Sequence, residues 1–253
     1  MSVIDDFVAM SHALGDPALD AVILGEGNTS VLGPDDTFYV KASGCNLQTL
    51  GAQHAVQLRR APLLSLMDGT EPVSEAELQE TYKKAKVDPS VAARPSVEAI
   101  FHALLLGYTG IKAVAHVHAT AVNALTCSKS WPRSLEGRLC PDEAVVLGPD
   151  SVFVDYVDPG VELGRVIWNG VEAYIEKWGQ PPKVIYMQNH GVIALGTSTT
   201  EAVNIVQMAI KAARIRLGAL ASGEGINPLA PEIVSHLLGR PDEKYRQQML
   251  DKK

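Results

Sequence analysis

The first chemistry in this chain is offered by two histidines one residue apart. They lie in Ala113–Ala121, AVAHVHATA, an otherwise small and apolar run. Along a β-strand, residues i and i+2 share a face. His116 and His118 therefore point the same way as Val114, while Ala113, Ala115, Val117 and Ala119 make an opposite face suited to close packing. Two imidazoles side by side on a rigid element can grip one metal ion. A catalytic zinc takes three protein ligands as a rule, so the pair asks for a third elsewhere. The spacing alone fits two hydrogen-bonded interior histidines equally well.

His190, in QNHGVIALG, stands at the break between two apolar runs, where Gly191 permits a tight turn or a close backbone approach. It reads as a third ligand or as a polar turn residue. Glu98 opens the helical pattern of SVEAIFHALLLGY, where the helix dipole favours a carboxylate. It reads as a ligand or as a capping residue beside Pro95 and Ser96. His102 follows four residues later on the same face, as a second ligand or as a local hydrogen-bond partner of Glu98. GEGNTS (25–30) and KASG (41–44) combine glycine with small polar groups, which can hold an anion or simply end a hairpin. His12, His54 and His236 have no clustered partner and receive no role.

These residues must be positioned by mixed helices and strands. Helices are expected at 2–15, 75–87, 96–108, 120–128, 161–179, 199–220 and around 231–250. A hairpin is expected over 25–44, with GPDD as its turn, and a second over 183–196. Strands are expected at 111–119 and twice within 144–157, in AVVLGP and VFVDYV; 55–68 fits either state. The strand–helix order is less regular than a repeating βαβ, so substantial antiparallel pairing is expected in one α/β domain over 1–253, with a polar tail from about 221.

Composition narrows the function classes. The 253 residues are 46% apolar and 20% charged, with a net charge of −7, which opposes a general nucleic-acid surface. Cys45, Cys127 and Cys140 are sparse and far apart, which suits a reduced cytoplasm. The start has no basic residue ahead of an apolar run, and no window is apolar enough to span a membrane. The expected location is therefore cytoplasmic, with no membrane partner.

Taken in order, GEGNTS, KASG, RPSVE, HVH and QNHG resemble the class II aldolase/adducin family. That family includes fuculose-phosphate and rhamnulose-phosphate aldolases and ribulose-phosphate 4-epimerase. The resemblance implies a three-layer α/β/α fold with a mostly antiparallel central sheet, and a homotetramer with sites between subunits. It implies His116, His118 and His190 as zinc ligands, with Co2+ or Mn2+ as other ions. Glu98 matches the acidic residue that binds the metal at rest and acts as acid and base. Asn28, Ser43, Gly44 and Ser96 match substrate-phosphate positions, with Thr29 adjacent. The second serine of the family's P-S-S-E is Val97 here, so one phosphate donor is missing. The long span between KASG and RPSVE resembles aldolase domains fused to dehydrogenases. Tyr245, in the tail, is the candidate for the tyrosine that protonates the leaving aldehyde. The implied reaction is cleavage of a ketose, as a sugar phosphate, to a triose and an aldehyde through a metal-stabilised enediolate. Epimerase, dehydratase and decarboxylase reactions share that chemistry, and an adducin-like interaction module would be expected to have lost the metal ligands.

Overall fold

The computed structural model describes residues 2–69 and 71–250. Among these, seven strands form one sheet: β1 (Asn28–Leu32), β2 (Thr37–Lys41), β3 (Ala55–Arg59), β4 (Ala113–Val117), β5 (Val152–Val154), β6 (Val184–Met187) and β7 (Gly191–Gly196). The spatial order is β3-β2-β1-β4-β7-β6-β5. Every neighbouring pair is antiparallel except β5 and β6. The helices are α1 (Val3–Leu14), α2 (Ala61–Leu64), α3 (Glu75–Ala85), α4 (Ala99–Leu105), α5 (Thr120–Thr126), α6 (Pro141–Leu147), α7 (Val161–Trp178), α8 (Thr199–Ala221), α9 (Pro231–Gly239) and α10 (Pro241–Leu250).

Both faces of the sheet are covered. Phe38, Val40, Val114, Ile185 and Ile193 pack with α2, α3, α4 and α7 on one side. Val31, Ala113, Ala115, Val117 and Val192 pack with α1, α5 and α8 on the other. This is the expected three-layer α/β/α arrangement. The alternation of β4 is as read from its sequence: Val114 joins the first core, and the alanines and Val117 join the second.

Local chemistry explains the boundaries. Asp35 and Asp36 take left-handed φ angles of 52° and 55° in the β1–β2 turn, which short polar side chains tolerate. Ser198 caps α8 by accepting from the Glu201 N–H at 3.0 Å. Gly179 ends α7 at φ 69°.

Two expectations are corrected and one open reading is resolved. AVVL of residues 144–147 is helical, within α6. Pro141 at its first position and Asp142 and Glu143 in its first turn set a helix start, and four apolar residues alone do not reveal their period. The final helix is two, because the residue before Pro241 is pushed to extended backbone; Arg240 has ψ 133°. The ambiguous 55–68 region is β3 followed by α2.

Candidate metal centre

The site lies where β1, β4 and β7 present neighbouring positions. Asn28 pairs directly with His116 across β1 and β4, so their side chains share a sheet face. His118 follows one residue beyond β4. His190 sits in the β6–β7 turn, entered through Asn189 at φ 51°, and the Asn123 amide holds the His190 carbonyl at 3.0 Å. Gly191 closes the arrangement. A Cβ there would stand 2.4 Å from the Val117 carbonyl oxygen and 3.1–3.2 Å from ring atoms of His118 and His116. Only glycine lets β7 approach both imidazoles this closely.

The three rings converge. Their ligand nitrogens lie within 4.8 Å of one another, and the Nε2 atoms of His116 and His118 are 3.0 Å apart. The His116 Nδ1–H donates to the Val192 carbonyl at 3.1 Å, which leaves Nε2 as the lone-pair atom facing the cluster. Burial pushes His116 down to about 3 and lowers His118 as well, so these rings are neutral and available as ligands.

Glu98 approaches from the start of α4. Its Oε1 is 3.1 Å from His190 Nε2 and its Oε2 is 3.5 Å from His116 Nε2. Burial opposes its charge, but the His116 and His190 imidazoles and the Asn28 amide outweigh that and hold the carboxyl below its ordinary range. Oε1 is buried without a hydrogen-bond partner. A buried carboxylate facing three converging imidazoles is a donor set that suits a divalent cation. The residues present fit a metal.

A cavity of about 250 Å³ opens over this cluster, lined by Asn28, Ser43, Gly44, Ser96, Glu98, His118 and His190 among others. Gly44 has φ 78°, with open space where a Cβ would stand. The Ser43 N–H is already engaged by the Arg94 carbonyl at 2.8 Å, so the hydroxyl is the group it offers a ligand. Asn28 Nδ2 donates to Ser96 Oγ at 3.1 Å and to Glu98 Oε2 at 2.6 Å.

A family model, Class II Aldolase and Adducin N-terminal domain, matches residues 5–217. The chain belongs to that family. Solved class II aldolase folds agree with it. The N-terminal class II aldolase domain of a conserved protein from Thermoplasma acidophilum is 28% identical, with 85% of this chain and 94% of that one covered at a TM-score of 0.68. YgbL from Klebsiella pneumoniae, provisionally an aldolase, epimerase or decarboxylase, is 21% identical over 93% and 97% of the two chains at 0.68. L-fuculose-1-phosphate aldolase from Thermus thermophilus is 18% identical over 88% and 97% at 0.61. No curated protein matches the chain significantly.

Within this class II aldolase fold, the structure does not bring Thr29, His102 or Tyr245 to the cavity lining. Thr29 belongs to the opposite sheet face, buried with its hydroxyl 2.7 Å from Ser11 of α1, and is not among the residues lining the cavity. Glu98 and His102 make no side-chain bond to each other, because the Asn28 amide lies between them. Tyr245 is 65% exposed on α10 and does not line the cavity. Two contributors escaped the sequence reading. Lys41 is buried, and its ammonium ties the loop carbonyls of Gly25 at 2.9 Å and Cys45 at 2.6 Å; burial lowers its pKa. Glu26 places a carboxylate oxygen 4.0 Å from His118 Nδ1. Both stand inside the quoted motifs GEGNTS and KASG, but no spacing rule distinguished them from turn residues.

Proposed function

We propose that this chain is a divalent-metal-dependent class II aldolase acting on a ketose or ketose phosphate. The observation that carries the reading is the convergence of three imidazoles with the buried Glu98 carboxylate set against them. His116, His118 and His190, with Glu98 at rest, would hold the ion, zinc by the donor set and Co2+ or Mn2+ as substitutes. The ion when bound supplies Lewis-acid stabilisation of the negative charge that develops as the bond next to the substrate ketone breaks.

The chain's own residues do the rest. Imidazole ligands carry no negative charge, so the three histidines would leave the ion's charge available to an anionic reacting centre. Glu98, freed by incoming substrate, takes and returns the proton at the carbon next to the carbonyl. The Asn28 amide steadies that carboxylate, and the Ser96 hydroxyl accepts from the same amide and from the Glu98 N–H. Asn28, Ser43, Gly44 and Ser96 are among the residues lining the cavity, where they would help to seat an anionic group. Val97 stands where a further hydroxyl would have strengthened that seat; its side chain is 46% exposed. Epimerisation, dehydration and decarboxylation use the same constellation. The bond that breaks, not the metal geometry, separates these reactions.

The test is a retro-aldol screen of free and phosphorylated ketoses, with and without zinc, alongside metal analysis of the purified protein. We expect near-stoichiometric metal and aldehyde release that His116→Ala abolishes together with metal binding. A metal-free preparation with full activity overturns the reading, as would CO₂ release from a free acid in place of aldol cleavage. Absent metal and absent activity favour an interaction module. Assembly as a homotetramer belongs to the same proposal. Ile23 and Leu24, exposed on the loop beside the cavity, are the apolar side chains such a contact would cover. Light scattering on the purified protein decides the assembly state. No helix among the described residues is long and apolar enough to cross a membrane, and the proposed setting is the cytoplasm.

A further inference from the structure

We propose that His102 is a positioning residue: it fixes which way the Asn28 amide faces and thereby holds Glu98 aimed at the metal centre. The inference rests on the metal reading above. His102 lies on α4 outside the cavity lining, fully buried. Its Nε2 contacts Asn28 Oδ1 in a short hydrogen bond, and its Nδ1 meets Ser30 Oγ at 2.6 Å. From Asn28 the chain of contacts continues through Nδ2 to Glu98 Oε2 at 2.6 Å and Ser96 Oγ at 3.1 Å. Ser30, His102, Asn28, Ser96 and Glu98 thus form one buried polar relay.

The relay has a direction set by donor and acceptor chemistry. An ionised carboxylate only accepts, so Glu98 needs the NH2 end of the Asn28 amide. The Asn28 oxygen must then receive a hydrogen, and His102 can donate it only with its proton on Nε2. That tautomer leaves Nδ1 as an acceptor, which the Ser30 hydroxyl satisfies. With the proton on Nδ1, the amide would turn over and set its oxygen against Glu98 Oε2. Phe101 stacks on the imidazole, with centroids 4.7 Å apart, and restrains its plane. With Oε2 held by Asn28, the other carboxylate oxygen, Oε1, is the one left facing His190. Strand alternation supplies the parts: Asn28 and Ser30 share the face of His116 and Val114, and His102 reaches both from α4.

Two variants and one spectrum test this. His102→Met approximates the ring's volume without a donor, whereas His102→Gln keeps an N–H within reach of the Asn28 oxygen. Chelator competition with Co2+ should show affinity weakened about 10–100-fold by Met, the range for lost outer-shell partners, and largely restored by Gln. Equal losses in both variants, or none in Met, would show that His102 only fills space and would overturn the proposal. The second readout needs no metal. In 15N-histidine-labelled protein with seven histidines, the His102 signals are those lost in His102→Gln. They should report a neutral ring protonated on Nε2; a proton on Nδ1 overturns the relay. Wild-type protein that binds no Co2+ refutes the metal reading instead, and the tautomer then decides the relay by itself.

Discussion

Glu98 shows how much a single side chain owes to its setting. At the start of a helix an isolated glutamate is a cap, yet here its side chain makes no capping bond to the α4 backbone. It turns instead to Asn28 and two imidazoles. Glu98→Gln keeps the shape but removes the base, so we expect kcat/KM to fall about 10²–10⁴-fold while the protein stays folded; steady-state kinetics with circular dichroism checks this. His102 carries a second residue-scale consequence. Burial pushes its ring down to about 3 from 6.5, so below about pH 6.5 the unfolded chain binds a proton that the folded chain refuses. That contribution to stability is complete above pH 6.5 and is lost as pH falls toward 3, at up to about 1.4 kcal/mol per unit. His116, likewise depressed, acts in the same sense. Urea midpoints of metal-free protein should drop between pH 7 and pH 4, less steeply in His102→Gln. His116, His118, His190 and Glu98 were all legible in the sequence as candidates, because each stood in a telling local pattern. Thr29 was misplaced, although strand alternation already put it on the face opposite Asn28.

At the scale of elements, the β6–β7 turn is the joint on which the site depends. Gly191→Ala would drive a methyl into the Val117 carbonyl and against two imidazoles. We expect a loss of roughly 1–3 kcal/mol, typical of overpacking, together with weakened metal binding. Thermal melts and Co2+ titration read the two effects separately. The hairpins, β4 and the long helices α7 and α8 were readable from period and turn chemistry. The α6 segment was not: AVVL is too short to show a period, and its helical state depends on Pro141 ahead of it and on packing between α8 and α9.

Across the whole molecule, the layer opposite α4 and α7 is held by a buried ion pair that the site does not use. Arg216 of α8 donates to Glu143 of α6 at 2.9 Å, and both side chains are about 1% exposed. The same guanidinium reaches the carbonyls of Glu136 at 3.1 Å and Gly137 at 2.8 Å. Glu143→Ala leaves an uncompensated buried charge and should cost about 3–5 kcal/mol, seen as a lower denaturation midpoint. Metal affinity of the remaining folded protein should be unchanged, because no member of this pair lines the metal cavity.

The sequence by itself determined the α/β class, the hairpins and the long helices, and through its family resemblance it named three histidines and one glutamate as the candidate metal set. These are local matters: periodicity, turn chemistry and short motifs act over a few residues. Only the tertiary structure decided that Asn28 stands between Glu98 and His102, that Lys41 braces the loop above the cavity, and that Gly191 lets β7 bring His190 against the pair carried by β4. Such facts depend on strand order and register, which place residues about seventy positions apart within hydrogen-bond reach. Hydrophobic burial on both faces of the sheet selects that register, and no segment read alone contains it.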